Sequence, residues 1–91
     1  METLLIVDDE KNYLLVLEDL LDDEGYQVLT AESGEKGLEI VRSSDVDVVI
    51  TDMKMPGMDG MALLDVCHRE KPDLPVIMMT AFGSFEKAVE A

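Results

Sequence analysis

Cysteine and basic residues are scarce in this chain of 91 residues, and each shortage excludes a class of protein. Cys67 is the only cysteine, so we expect no internal disulfide, no thiolate cluster for zinc and no dependence on an oxidising compartment. Seven Lys and Arg residues stand against 21 Asp and Glu residues, which gives a formal net charge of −14. Because that charge repels the phosphate backbone of nucleic acids, we expect this chain alone to bind neither DNA nor RNA.

Long apolar segments are also missing. No uncharged segment approaches the ~18 residues that a membrane span needs, and no basic stretch precedes the first apolar segment, as it would in a secretory signal. Hydrophobic residues nonetheless make up 47% of the chain, which is too many for a disordered protein. These features predict one small domain over residues 1–91 that acts in the cytoplasm and does not bind membranes.

Short apolar segments alternate with longer stretches of helical period, a pattern typical of a parallel sheet with helices on its faces. Four segments rich in Val, Ile and Leu are predicted to be buried strands: residues 4–7, 28–31, 46–51 and 76–79. The pattern therefore predicts an α/β fold with a doubly wound parallel sheet.

The stretches between these strands predict three helices. The first ends at Gly25, the second begins near Ser33, and the third begins at Asp59. Their predicted inward-facing residues are Tyr13, Leu17, Leu20 and Leu21, then Leu38 and Val41, then Met61, Leu64 and Cys67. Residues 86–91 predict the first turns of a fourth helix.

Polar residues follow three of the predicted strands. Asp8 and Asp9 follow the first strand, Asp52 follows the third, and Thr80 follows the fourth. In a doubly wound sheet, ligands bind just beyond the carboxyl ends of the strands, and neighbouring strands lie about 4.8 Å apart. We therefore expect these four side chains to converge on one pocket.

Three carboxylates at one edge of a sheet repel one another, and a divalent cation would neutralise them. Magnesium fits better than calcium, because it is usually held by a few carboxylate or carbonyl oxygens together with water and phosphate. Zinc is disfavoured without Cys or His ligands. A calcium loop over residues 52–60 is excluded, because Lys54 and Pro56 stand where that loop needs oxygen ligands.

These motifs resemble the receiver domain of two-component response regulators. The shared features are Asp8 and Asp9 after the first strand, the stretch TDMKMPGMDG at residues 51–60, and Thr80 with Ala81 after the fourth strand. These motifs occur in the same order as in receiver domains, and the resemblance spans the whole chain. The resemblance implies a flavodoxin-like fold with strand order 2-1-3-4. The stretches at residues 80–84 and 88–91 resemble regulators that activate sigma-54 transcription.

The resemblance also implies roles for individual residues. Asp52 would be the phosphoacceptor, taking a phosphoryl group from a phosphohistidine on a partner histidine kinase. Magnesium would be held directly by Asp9, Asp52 and the backbone carbonyl of Lys54, with Asp8 acting mainly through a bound water.

Hydrogen bonds to the phosphoryl oxygens would come from the Thr80 hydroxyl and from the backbone amides of Met53 and Ala81. The resemblance further implies a switch that assists its own phosphorylation and dephosphorylation, and that is not an enzyme acting on metabolites. In a full-length parent it would control an output domain, which we expect to bind DNA.

Receiver domains also have a fifth strand that ends in a lysine, followed by a fifth helix. None of the downstream lysines, Lys54, Lys71 and Lys87, is predicted to end a strand, so the chain is interpreted as a receiver domain truncated before these elements. Residues 76–79 would then form an exposed edge strand. We therefore expect a homodimer that pairs through this edge.

Two other functions are considered. A phosphorylation-independent interaction module of receiver fold is favoured by the missing lysine, whereas the complete set of Asp8, Asp9, Asp52 and Thr80 argues against it. A phosphatase or mutase with an aspartyl nucleophile typically has a second aspartate two residues further on, where this chain has Lys54. A Cys67–His68 nucleophile and base pair is excluded, because consecutive helical residues point about 100° apart.

Overall fold

One five-stranded sheet organises the fold. The computed structural model describes residues 2–79 and the backbone of residues 85–87. The elements are β1 (Thr3–Val7), α1 (Lys11–Asp23), β2 (Gln27–Ala31), α2 (Gly34–Ser43), β3 (Val48–Asp52), α3 (Gly60–Glu70), β4 (Val76–Met79) and β5 (Phe85–Lys87). The strand order is β2-β1-β3-β4-β5, and β1 to β4 are parallel. The predicted α/β fold with order 2-1-3-4 is thereby confirmed.

The main core lies between one face of the sheet and the two helices α2 and α3. Alternate residues of β1, Leu5 and Val7, point to this face, where Leu38 and Val41 of α2 cover them. The remaining buried members of this core are Ala31, Val49, Met55, Leu63, Cys67, Leu74 and Val76. Because β1 and β3 are buried between layers, their apolar sequences read as nearly continuous runs.

Side-chain caps begin both of these helices. The Ser33 hydroxyl accepts a hydrogen bond from the Lys36 amide at 3.1 Å, and the Asp59 carboxylate accepts one from the Ala62 amide at 2.9 Å. Both predicted starts are confirmed. In the described ranges 2–79 and 85–87, every helix falls short of the length and hydropathy that crossing a bilayer requires.

The predicted inward face of α1 is partly wrong. Leu14 is the buried residue of this helix, whereas Tyr13 is 38% exposed and Leu20 is 57% exposed. Leu14, Leu17 and Leu21 follow the i, i+3, i+7 spacing of one helical face, so including Tyr13 and Leu20 rotated the predicted face away from Leu14. The predicted end of α1 is confirmed, because Gly25 adopts a left-handed φ of 95°.

A similar correction applies to α3. Met61 is 53% exposed, and Leu63 instead fills the core one turn ahead of Cys67. These two buried residues have the i, i+4 spacing of one helical face. Cys67 in the core and His68 at the surface are confirmed, and burial raises the pKa of the Cys67 thiol above its ordinary value.

The predicted edge strand and fourth helix are both contradicted. β5 pairs antiparallel with β4, so the helix predicted from residue 86 is wrong at residues 86 and 87, and β4 has a partner on each side. This pairing satisfies backbone groups that an edge strand leaves open. Lys87 ends β5, contrary to expectation, but it pairs beside Ile77 and not at the carboxyl edge of the parallel strands. The predictions for residues 80–84 and 88–91 concern positions outside the described residues.

Candidate functional site

Strand register brings two of the predicted acidic positions together. Val7 pairs with Thr51, so Asp8 directly after β1 lies beside Asp52, the last residue of β3. On the other side of β3, Asp52 pairs with Met79 at the end of β4. The carboxyl ends of the three strands therefore meet at one edge of the sheet, where ligands bind in folds of this type.

Asp8, Asp9 and Asp52 form the cluster that the sequence predicted. Each offers a carboxylate oxygen, and these oxygens all lie within 4.8 Å of one another. Asp8 is buried, with 4% of its surface exposed, while Asp52 is half-buried and Asp9 is exposed. The site therefore has a buried floor and an open rim. Among the described residues, no other group of acidic, His or Cys side chains converges in this way.

Burial raises the pKa of Asp8 above its ordinary value, and this is the largest influence on that carboxyl. The Glu10 amide donates a hydrogen bond to Asp8 Oδ1 at 2.8 Å, which lowers the pKa and partly opposes the burial. The negative charges of Asp52, Asp9 and Glu10 then raise it further. Ionisation of Asp8 therefore costs more free energy in the folded chain than in a fully solvated carboxyl, and a bound cation would offset that cost.

Backbone hydrogen bonds fix the first residue after β3. The Met53 amide donates to the Met79 carbonyl at 3.3 Å, and the Met53 carbonyl accepts from the Gly60 amide at 3.0 Å. The Met53 amide, expected from the resemblance to contact a phosphoryl group, is thus bonded to β4 in this structure. Thr80 and Ala81, the other two predicted phosphoryl contacts, lie outside the described residues.

The Lys54 carbonyl, expected to be a metal ligand, follows on the same loop. Among the described residues, no hydrogen-bond donor contacts that carbonyl. Within this part of the chain, the Lys54 carbonyl oxygen therefore remains available to bind a metal ion. Position 54 carries an exposed lysine side chain. An aspartyl phosphatase or mutase has its second aspartate at this position.

The start of α3 packs unusually close to Asp52. A Cβ at Gly60 would collide with the Asp52 carbonyl oxygen and would lie 2.9 Å from Met53 Cα. On the strand side, the buried Thr51 hydroxyl donates to the Asp52 carbonyl at 3.1 Å. The backbone that carries Asp52 is therefore held from both sides.

Sequence reasoning missed the contact between α2 and the loop after β3. The Met58 amide donates to Glu35 Oε2 at 3.2 Å, and a Cβ at Gly34 would collide with the Met58 carbonyl oxygen. The proline and glycine at residues 56 and 57 indicated a turn, but no pattern in the sequence indicated which helix would contact it.

The donor set fits a hard divalent cation. Carboxylate and carbonyl oxygens are the ligands that magnesium prefers, and the described site contains no His or Cys ligand. Two methionines of the loop pack in the core: Met55 is buried there, and Met58 is partly buried against it. Core packing therefore accounts for both side chains.

A family model for the response regulator receiver domain matches residues 4–91. The chain belongs to this family. The resemblance deduced from the acidic motifs is thereby confirmed, and the chain is a receiver domain of two-component response regulators.

Curated relatives of this receiver domain include regulators of transcription. It is 47% identical over 88 residues to the transcriptional regulatory protein GlrR of Escherichia coli K12, covering 97% of this chain and 20% of that protein. It is 43% identical over 86 residues to the DNA-binding transcriptional regulator NtrC of Klebsiella pneumoniae, covering 94% of this chain and 18% of that protein. The chain thus spans about a fifth of the length of these relatives.

Solved receiver structures share the fold. The response regulator TrrA of Thermotoga maritima in complex with Mg²⁺-BeF is 40% identical, with a TM-score of 0.86 over 89% of this chain and 70% of that one. TrrA in a complex with the histidine kinase ThkA is 38% identical, with a TM-score of 0.86 over 92% of this chain and 72% of that one. A receiver of similar structure has therefore been solved both with Mg²⁺-BeF and with a histidine kinase.

Proposed function

We propose that this receiver domain accepts a phosphoryl group on Asp52 and acts as a signalling switch in a longer regulator. The observation that carries the proposal is the cluster of Asp8, Asp9 and Asp52, whose oxygens lie within 4.8 Å of one another at the carboxyl edge of the sheet. Asp52 is half-buried, so one side of its carboxylate is open to a donor.

The proposed reaction is a direct transfer. An Asp52 carboxylate oxygen attacks the phosphorus, the new P–O bond forms, and the P–N bond of a phosphohistidine breaks. The electron pair of that bond returns to the imidazole nitrogen of the kinase. Little covalent chemistry is required of the receiver, whose contribution is to position the nucleophile and balance charge.

Magnesium is the cofactor that the donor set supports. Asp9, Asp52 and the Lys54 carbonyl would hold it, with Asp8 acting mainly through a bound water. The ion supplies positive charge that offsets the carboxylates and the phosphoryl oxygens. The raised pKa of Asp8 is consistent with this assignment, because a cation would offset the cost of ionising a buried carboxyl next to two other acids.

The same proposal extends to the phosphoryl contacts. Thr80 and Ala81 follow Met79 in the sequence, and Met79, the last residue of β4, pairs with Asp52. Their hydroxyl and amide would donate to the phosphoryl oxygens. The Met53 amide would join them by exchanging its bond to the Met79 carbonyl, whose length of 3.3 Å is long for an N–H···O bond.

Partners are proposed from the relatives. TrrA, which shares this fold, forms a complex with the histidine kinase ThkA, so we propose a sensor histidine kinase as the phosphoryl donor. GlrR and NtrC are transcriptional regulators by name, which supports a DNA-binding output domain and a cytoplasmic place of action. The sigma-54 class stays a prediction from residues 80–84 and 88–91. The homodimer expected through an exposed edge of β4 is not proposed, because β5 pairs with that edge.

We propose a switch that promotes its own phosphoryl transfer and hydrolysis, and not an enzyme that acts on metabolites. An aspartyl phosphatase or mutase would need an acid near the position of Lys54, whose side chain is a cation. The Mg²⁺-BeF complex of TrrA favours phosphorylation over a purely docking role, because beryllofluoride occupies the place of a phosphoryl group.

Intact mass spectrometry tests the proposal. The chain is incubated with magnesium and a small acyl phosphate, alongside Asp52→Asn and a sample in which a chelator removes the metal. We expect one phosphoryl group on the parent chain, and none on the variant or on the chelated sample.

Phosphorylation at an undiminished rate in Asp52→Asn would contradict the assignment of the nucleophile. Phosphorylation that persists in the chelated sample would contradict the role of magnesium. A parent chain that stays unmodified would favour the interaction module instead.

A further inference from the structure

The loop between β3 and α3, residues 53–59, is held at three places. At its start, the Met53 carbonyl accepts the Gly60 amide at 3.0 Å. In its middle, the Met55 side chain is buried in the core. On its outer side, the turn at Gly57 and Met58 is held by α2 through Glu35.

The Glu35 carboxylate contacts this turn at Gly57 and Met58. Its Oε2 accepts a hydrogen bond from the Met58 amide at 3.2 Å. The same oxygen covers Gly57, where an added Cβ would lie 2.8 Å from it, and Gly57 has a left-handed φ of 71° that favours glycine. A single side chain from another helix thus fixes the peptide between Gly57 and Met58.

The helix that carries Glu35 is itself firmly placed. Ser33 caps its first turn, and a Cβ at Gly34 would collide with the Met58 carbonyl oxygen. One turn further on, a Cβ at Gly37 would lie 2.8 Å from Val7 Cγ2, so the helix lies close against the strand that leads to Asp8. Glu35 therefore reaches the loop from a helix whose position is fixed by close packing.

We propose that Glu35 is a positioning residue for the metal site. By holding the Met58 amide it closes the turn at residues 56–58, and so restricts the movement of the preceding Lys54 carbonyl, the metal ligand proposed above. The inference rests on the proposed function, because it assumes that this carbonyl binds magnesium. Glu35 itself touches neither the ion nor the phosphoryl group in this proposal.

Four variants separate the hydrogen bond from the charge. Glu35→Ala removes both. Glu35→Asp keeps the charge but shortens the side chain, and Glu35→Gln keeps the reach and an acceptor oxygen but removes the charge. Glu39→Ala is the matched control, because Glu39 is an exposed glutamate one turn further along the same helix.

Two measurements on the full chain report different steps. Hydrogen exchange of the Met58 amide, followed by NMR, reports the hydrogen bond without any metal. Titration calorimetry with magnesium chloride reports the affinity of the site. We expect Glu35→Ala and Glu35→Asp to speed exchange at Met58 and to weaken magnesium binding about fivefold, as loss of one exposed hydrogen bond predicts. The magnesium dissociation constants of Glu35→Gln and Glu39→Ala should stay within about twofold of that of the parent.

Three results would overturn the inference. Magnesium affinity in Glu35→Ala equal to that in Glu39→Ala would mean that the turn does not position the carbonyl. Equal weakening in Glu35→Gln and Glu35→Ala would mean that the charge acts at a distance and the hydrogen bond does not matter. A parent chain that binds no magnesium would overturn the proposed metal site as well, so failure of the proposed function is recognised in the parent alone.

Discussion

The two edges of the sheet use the same side chain in opposite ways. At the amino edge, Asp47 accepts a hydrogen bond from the Thr3 amide at 2.7 Å, while its own amide donates to the Thr3 carbonyl at 2.8 Å. It therefore ties the start of β1 to the segment that enters β3. At the carboxyl edge, Asp8 and Asp52 face each other together with Asp9, and their oxygens lie within 4.8 Å.

This difference indicates which carboxylates are structural. Asp47 and Asp8 both accept a backbone N–H, but Asp8 is also buried among like charges, which oppose its ionisation. The amino edge contributes to stability and the carboxyl edge reduces it. Concentrating an unfavourable group at one edge is typical of a functional site.

The largest expected effect compares Asp52→Asn with Asp47→Asn. Asp52→Asn should abolish phosphorylation, because the amide is not a competent nucleophile, while its similar shape preserves the fold. Asp47→Asn should leave the rate of phosphorylation from an acyl phosphate unchanged. Intact mass over time measures both, with circular dichroism as the control for folding. Equal loss in the two variants would remove the functional distinction between the edges.

The next prediction concerns stabilisation by magnesium. At a magnesium concentration one hundred times its dissociation constant, the free energy of unfolding of the parent should rise by about 2.7 kcal/mol. Asp8→Asn should be more stable than the parent without magnesium, since it removes a buried charge, and should gain less from the ion. Urea unfolding with and without magnesium measures this. A variant less stable than the parent in the absence of metal would contradict the destabilising role of Asp8.

The difference in the free energy of unfolding between Asp8→Asn and the parent should depend on pH, because the pKa of Asp8 is raised in the folded chain above the ordinary value of 3.8. Because the folded state holds this proton more tightly, the penalty is absent below about pH 3.8 and develops as the pH rises through the folded-state pKa. Without magnesium, the advantage of Asp8→Asn over the parent should therefore grow with rising pH and then level off. Urea unfolding over a pH series measures it, and an advantage that shrinks with rising pH would contradict the assignment.

The smallest effect is expected at the amino edge. Asp47→Ala removes the acceptor for the Thr3 amide, and should lower the free energy of unfolding by about 1 kcal/mol, as for a typical hydrogen bond. It should not alter the affinity for magnesium. Asp45→Ala, a neighbouring exposed aspartate without a hydrogen bond among the described residues, is the control. Equal losses in the two variants would show that the bond contributes nothing.

Much of the fold could be predicted because local pattern and burial agree. The strand at residues 76–79 was placed within its observed limits, and the helix starts at Ser33 and Asp59 were marked by capping residues. The inward face of α1 was predicted less well, because apolar residues occur all around this helix. Leu15, Leu20 and Val16 are exposed although they are as apolar as the buried Leu14.

For the site, the sequence predicted the acids but not what holds them. Strand ends locate Asp8 and Asp52 because parallel topology brings those ends together. The contact from Glu35 to the Met58 amide depends on how α2 lies over a loop, and no local pattern encodes that distance. The pairing of β5 with β4 was also missed, because residues 85–87 carry no strong strand signal.

The close approach of Gly37 to Val7 has a consequence for how the sequence can vary. A methyl group at position 37 would lie 2.8 Å from Val7 Cγ2, so the spacing between helix and strand is set by the absence of a side chain. A larger residue at one position is tolerated best when a smaller one appears at the other, because their summed volume fills a fixed gap. Since Val7 immediately precedes Asp8, a mismatch in that pair would displace the first acid of the site. The two positions are therefore expected to change together across relatives, although neither contacts a ligand.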